Sequence, residues 1–321
     1  MIENLQSLRA FAAINVVIFH IIGSSFSYGF SLHFLSTFGG WGANGVDIFF
    51  VISGFVMLHT QLKKKRNIYD FLKSRVIRIV PIYWFVTTFS ILTYILLPNS
   101  IFNSAVPSTE HMLHSYFFVS SFLSEQSPII FIGWTLEWEM LFYLVFGLGL
   151  LFTDLRKTSM FVFCLLFIIS AYSLNLLVLE FLLGMLIAYL VNKEIIRKKI
   201  GFLLLLIGFV FLLLSINPSI SELEIDRFFK WGLPSFLIVF GAVTTKQFFY
   251  PILRYLGDAS YSIYLIQMFT IPVFYKIITR FEINNINADL LAILCLALCI
   301  VTGVLMHSFI EKPMTKILRR L

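Results

Sequence analysis

The stretch TSMFVFCLLFIISAYSLNLLVLEFLLGMLIAYLV, residues 158–191, decides how the rest of the chain is threaded. It is apolar apart from a break around Asn175, and basic clusters flank it on both sides: Arg156 and Lys157 before it, Lys193, Arg197, Lys198 and Lys199 after it. A helix that crosses a hydrocarbon core of about 30 Å takes about 20 residues, and basic residues collect on the cytoplasmic side. Like-charged flanks on one side require an even number of crossings, so the tract reads as two helices split near Asn175.

Working outward, comparable apolar runs recur along the whole chain. The expected spans are 5–23, 41–61, 77–97, 133–153, 159–174, 176–191, 200–217, 231–245, 257–278 and 288–309. Of 321 residues, 59% are apolar and only 13% charged, against about 25% charged in an ordinary soluble domain. The fold class that follows is all-α, a polytopic membrane helix bundle of about ten transmembrane helices. With the N-terminus in the cytoplasm, all 24 Lys and Arg except Arg227, Lys230, Lys276 and Arg280 fall on the inner side, so both termini are expected there. The first span carries Asn, Gln, Ser and Arg without a small-residue cleavage site after it, and reads as a retained helix. No segment outside the spans is long enough for a soluble domain. Residues 1–321 therefore read as a single membrane domain with no appended soluble part.

The formal charge of +7 is accounted for by orientation signals and lipid headgroups, with no nucleic-acid partner. Cys164, Cys295 and Cys299 lie in apolar spans and read as small packing residues, not as a disulfide framework or metal site. His111 and His114 have helical spacing but no third ligand nearby, so no metal is expected. The segment HMLHSYFFVSSFL, residues 111–123, is expected as an amphipathic helix at the interface. Gly39, Gly40, Gly42 and Gly45 lack the spacing of a nucleotide-binding loop.

The informative residues are ionisable groups within spans, where they are costly and usually face the bundle interior. Arg9 and His20 stand eleven residues apart in LRAFAAINVVIFH, which brings them within about 20° of one helix face and about 16 Å apart along it. Asp47, in GVDIFFVISGF, is expected at the depth of His20, and a carboxylate beside an imidazole fixes its tautomer and raises its basicity. Glu137 and Glu139 enter with WTLEWEMLFYL on different helix faces, so at most one is expected to share a cavity with His20. Arg75 and Arg78 share a face in KSRVIRIVP and make a clamp for phosphates. Plainer readings compete: His20 as a hydrogen-bonded packing residue, Asp47 snorkelling to water, and Arg75 and Arg78 as orientation signals alone.

Together these motifs resemble the acyltransferase 3 family of integral membrane acyltransferases over nearly the whole chain. The resemblance rests on Arg9 and His20, GVDIFFVISGF (45–55), RVIR (75–78), WTLEWEMLFYL (134–144), EFLLGMLIA (180–188), GDASYSIYLIQ (257–267) and EKP (311–313). It implies transfer of an acyl group, usually acetyl from cytoplasmic acetyl-coenzyme A, to a sugar hydroxyl of an envelope or secreted glycan. It also implies a catalytic His20, a donor-binding Arg75 and Arg78, and family carboxylates at Asp47 and Glu139. Two departures are visible. Gln267 stands where many members have His, and the chain stops at Leu321 where many continue into a hydrolase-like extension, so a relay through such a domain would use another protein.

The combined expectation is a catalytic set of His20, Asp47 and Glu139, with Arg9, Arg75 and Arg78 holding acetyl-coenzyme A as co-substrate and no metal. The acceptor would be a glycan or lipid-linked sugar, the setting the bacterial cytoplasmic membrane with its lipids, and polysaccharide biosynthesis or export proteins the further partners. His20 acts either as general base on the acceptor hydroxyl or as an acylated intermediate. The rivals are a transporter of glycolipid or polysaccharide, and an acyltransferase for a small-molecule acceptor.

Overall fold

Apolar runs of 18 residues or more that end in charged or helix-capping residues leave the backbone one solution in lipid, the helix. The computed structural model describes residues 2–97, 106–124, 126–193, 198–217, 225–282 and 286–320. Among them there is no strand, and seven helices are long and apolar enough to cross a membrane. Three shorter apolar helices, Leu176–Asn192, Ile200–Leu214 and Phe228–Thr244, coincide with expected spans. Arg197 and the side chains of Lys198 and Lys199, used above for orientation, lie outside the described residues.

The helices are α1 (Glu3–Ser27), α2 (Asn44–Lys63), α3 (Ile68–Leu96), α4 (Thr109–Tyr116), α5 (Ser120–Leu123), α6 (Trp134–Gly149), α7 (Leu155–Ser173), α8 (Leu179–Asn192), α9 (Lys198–Leu214), α10 (Leu233–Thr244), α11 (Pro251–Asp258), α12 (Ser260–Arg280), α13 (Ala288–Met306) and α14 (Lys312–Leu318). Single π-helical segments precede α10, at Phe228–Gly232, and follow α13, at His307–Glu311.

The break expected near Asn175 is present. Helix α7 ends where Leu174 turns left-handed at φ 52°, ψ 31°, the conformation in which many helices stop. Asn175 then accepts a hydrogen bond from the Leu177 N–H and starts the next helical segment. Two expectations need correction. Helix α3 begins at Ile68, nine residues before the expected span start at 77, so Arg75 and Arg78 lie inside it, about 10 to 15 Å from its first residue. The expected amphipathic helix over 111–123 is instead two short helices, α4 and α5, separated by Phe118 at φ 60°. The physical reason is Glu137, treated below.

The chain divides into two compact units. The first comprises Met1–Val16, Gly40–Leu72 and Leu141–Asp258, the second Val17–Gly39, Lys73–Met140 and Ala259–Leu321. Lipid offers little hydrophobic drive between helices, so association relies on close packing through small residues and on buried polar bonds. In the first unit α2 lies directly on α8. A Cβ on Gly54 would sit 2.0 Å from the Phe181 carbonyl oxygen, and one on Gly184 would sit 2.1 Å from that of Val51. Phe181 stacks between Phe50 and Phe142, with centroids 4.5 and 4.4 Å away.

Gly184→Leu is therefore expected to cost about 3 kcal/mol or more, at or beyond the upper range of overpacking penalties, because the obstructing atoms are backbone and cannot rotate away. Thermal unfolding of purified protein checks this. Gly23→Ala is the control, since a Cβ there meets nothing within 4 Å.

In the second unit α12 is the hub. The Tyr264 hydroxyl lies 2.9 Å from the Ile132 carbonyl and 2.7 Å from Thr135 Oγ1. Tyr275 shares a 2.5 Å hydrogen bond with Ser25. Thr270 meets Thr302 of α13 at 3.1 Å. Asp289, at the start of α13, accepts the backbone N–H groups of His33, Phe34 and Leu35 and so ties down the segment after α1.

Candidate active site

His20 stands in the last third of α1, within the second unit. Its ring is half-buried, edge-on to Phe19 at 4.8 Å and to Phe131 at 5.0 Å. Phe131 opens the turn that feeds α6, so the helix bearing Glu137 and Glu139 starts beside the imidazole. Within this unit no described residue hydrogen-bonds to His20. A packing histidine would be expected to spend at least one ring nitrogen on a structural bond; here no described residue of the unit takes one, and two aromatic rings stand edge-on to the imidazole.

The two carboxylates of α6 separate clearly. Glu137 is fully buried, and its two oxygens accept the backbone N–H groups of Ser120 and Ser121 at 2.8 and 2.9 Å. Two unpaired amide groups at a helix start are what a buried carboxylate needs, and the chain must break before α5 to provide them. This is why the expected amphipathic helix is interrupted. Glu139, one hundred degrees per residue further round the helix, is half-buried. It belongs with Arg78, Tyr83 and Glu311 to the charged and polar surroundings of Tyr261. Tyr261, in turn, donates to the carbonyl of Ile79 at 2.9 Å, one residue beyond Arg78.

Arg75 and Arg78 are both half-buried. Arg75 Nε donates to Ser74 Oγ at 3.2 Å. The structure thus brings Arg78 and Glu139, which the sequence had placed in separate roles, into one neighbourhood around Tyr261.

The first unit holds the other two expected residues. Arg9 is half-buried and donates to Gln6 Oε1 at 3.2 Å. Asp47 is fully buried, and here the sequence reading is corrected. Its partner is not an imidazole but Arg227, which donates from Nε to Oδ1 at 3.0 Å and from Nη2 to Oδ2 at 2.7 Å. Arg227 also donates to the Ala43 carbonyl at 2.8 Å and lies over the Trp231 ring at 5.1 Å. A fork matched to a carboxylate satisfies a charge at low dielectric better than one ring nitrogen does.

The sequence profile of the acyltransferase 3 family, described as an acyltransferase domain, matches residues 2–308. The chain belongs to this family. Among curated proteins it is similar to the exopolysaccharide production protein ExoZ of Rhizobium meliloti, 41% identical over 109 residues that make up 33% of each chain. It is also similar to the O-acetyltransferase OatA of Staphylococcus aureus, 28% identical over 201 residues, 57% of this chain and 30% of that protein. The matched segments thus span about a third of these relatives. No solved structure matches the chain.

Two motifs that carried the resemblance to the acyltransferase family meet in space. Ser262, of GDASYSIYLIQ, donates to Glu311 Oε2 of EKP at 2.5 Å, and His307 Nδ1 lies 2.8 Å from the same oxygen across the π-helical turn. π-turns of this kind often mark functional positions. Gln267, where many members of the acyltransferase family have His, is buried and donates to the Tyr264 carbonyl at 2.8 Å.

Sequence reasoning missed Arg227, Glu180 and the His307–Glu311 pair. A signal existed for the first: Arg227 was one of four basic residues out of place under the positive-inside rule, and such an exception asks for a carboxylate partner.

Proposed function

We propose that this chain is a membrane O-acyltransferase that moves an acyl group, acetyl in the first instance, from acyl-coenzyme A to a hydroxyl of a surface, exported or lipid-linked glycan. The proposed setting is the bacterial cytoplasmic membrane, with ten crossings and both termini inside, as the distribution of basic residues supports. The observation that carries the reading is His20. It is an imidazole within a spanning helix, held by two aromatic rings and committed to no structural bond in its unit, in a chain of the acyltransferase family. The names of the two relatives, one concerned with exopolysaccharide production and one with O-acetyl transfer, favour a glycan acceptor and an acetyl donor.

In the proposed step His20 accepts the proton of the acceptor hydroxyl as its oxygen attacks the thioester carbonyl. The carbon–sulfur bond breaks, the thiolate leaves, and the proton gained by His20 is available to it. Arg75 and Arg78 hold the donor phosphates. Glu139, in the neighbourhood of Arg78, orients that basic pair. Asp47 is engaged by Arg227 and takes no part in the step.

The test is a purified preparation given radiolabelled acetyl-coenzyme A with and without envelope glycan. Label is expected to reach the glycan only when both are present. Arg75→Ala/Arg78→Ala is expected to weaken donor binding by about 10²-fold or more, since each charge-assisted bond contributes about 1.5–3 kcal/mol. Wild-type protein that neither binds the donor nor transfers label would end the proposal.

A further inference from the structure

The first unit contains a charged group for which the proposed reaction has no use. Glu180, in the first turn of α8, is fully buried, and no hydrogen-bond donor among the described residues reaches either carboxyl oxygen. It lies against the carboxyl group of Asp47, which is itself fully buried and already gripped by Arg227. Among the described residues, the other charged group facing Glu180 is Asp226, which is exposed. Two buried carboxyl groups thus share one guanidinium.

An ionised carboxylate with no hydrogen bond is among the costliest groups to bury. Both oxygens are closed off from solvent, and Gly232 packs against the carboxyl group, so that a Cβ there would come within 2.7 Å of Oε1. The smallest counter-charge such a closed group can take is a proton.

We propose that Glu180 and Asp47 form a proton-binding site, with the proton carried by Glu180 and donated in a hydrogen bond to Asp47. Two carboxyls, one proton and one guanidinium make the cluster electrically neutral. Carboxyl pairs too close for both to ionise behave this way. Asp47 keeps its charge for Arg227, while Glu180 gains a partner for an otherwise orphaned group. Glu180 is a positioning residue acting through Asp47: it fixes the N-terminal end of α2, where Arg227 also holds the Ala43 carbonyl, against the π-helical segment Phe228–Gly232. The inference is independent of the acyl-transfer reading.

The test is infrared spectroscopy of the intact chain in nanodiscs at about neutral pH, with protein produced in H2O and, separately, in D2O so that closed-off sites carry either isotope. A carbonyl stretch of a water-shielded carboxylic acid is expected in wild type and absent in Glu180→Gln. It is also expected to vanish in Asp47→Asn, because Arg227 then draws the charge onto Glu180. In thermal unfolding, Glu180→Gln is expected within about threefold of the wild-type unfolding constant, since an amide N–H replaces the donor. Glu180→Ala, which leaves Asp47 without it, is expected to raise that constant by about tenfold or more. If Glu180→Ala yields no folded protein, the spectra of wild type and Glu180→Gln decide. No carbonyl band in wild type, a band that survives Glu180→Gln, or stability that rises with sodium but not with potassium would each overturn the proposal.

Discussion

His20→Ala is expected to reduce acyl transfer by about 10²- to 10⁴-fold, the usual contribution of a positioned general base, in protein that remains folded. The reasoning starts from what the ring touches. Its ring contacts in the second unit include two edge-on aromatic rings, each worth about 0.5–1.5 kcal/mol, so truncation costs some packing but strands no hydrogen-bond partner among the described residues of that unit. A residue whose role was structural would show the opposite pattern, a stability loss with activity per folded molecule retained. Donor affinity separates the roles further: His20→Ala should bind acetyl-coenzyme A as wild type does, whereas Arg75→Ala/Arg78→Ala should not. Added imidazole should restore part of the transfer if the alanine leaves a space the small base can enter. A histidine that is itself acylated would give labelled protein before any glycan is supplied, and a general base would not. Sustained glycan acetylation by His20→Ala in cells would remove the enzyme reading and bring a transport function forward.

Much of the fold was legible because it depends on local sequence. The split near Asn175 follows from a polar residue between two apolar runs, and the structure places a left-handed Leu174 and an Asn175 cap there. Arg75 and Arg78 lie three residues apart inside one helix, α3. What could not be read was pairing across long separations. Nothing local in WTLEWEMLFYL says that Glu137 serves two amide groups sixteen and seventeen residues earlier, although that bond is what breaks the segment 111–123. The start of α3 was misplaced because charged residues such as Asp70 and Lys73 end an apolar span without ending a helix. Asp47 was matched to the nearest plausible base by depth, while its partner stands 180 residues away. Depth along a helix narrows the choice of partner; only the packing of α2 against α8 and the π-helical segment before α10 selects it.

The same pairing gives the second large effect. Arg227→Leu is expected to destabilise the protein by about 3–5 kcal/mol, the range for breaking a buried ion pair from one side. The cost arises less from the lost attraction than from what remains: Asp47, wholly buried, with a second carboxyl beside it and no counter-charge among the described residues. Removing both partners should therefore hurt less than removing one. In a double-mutant cycle, Asp47→Leu/Arg227→Leu should recover a large share of the loss seen in Arg227→Leu, because two apolar side chains leave no uncompensated charge in the interior. Arg227→Lys should fall between wild type and Arg227→Leu, since an ammonium keeps the charge but cannot bridge both oxygens of Asp47 while also reaching the Ala43 carbonyl. Thermal unfolding of wild type, Arg227→Leu, Asp47→Leu and the double variant measures the coupling directly. Strict additivity would mean that the guanidinium, with 30% of its side chain exposed, is solvated independently of Asp47, and the neutral cluster around Glu180 would lose its basis with it.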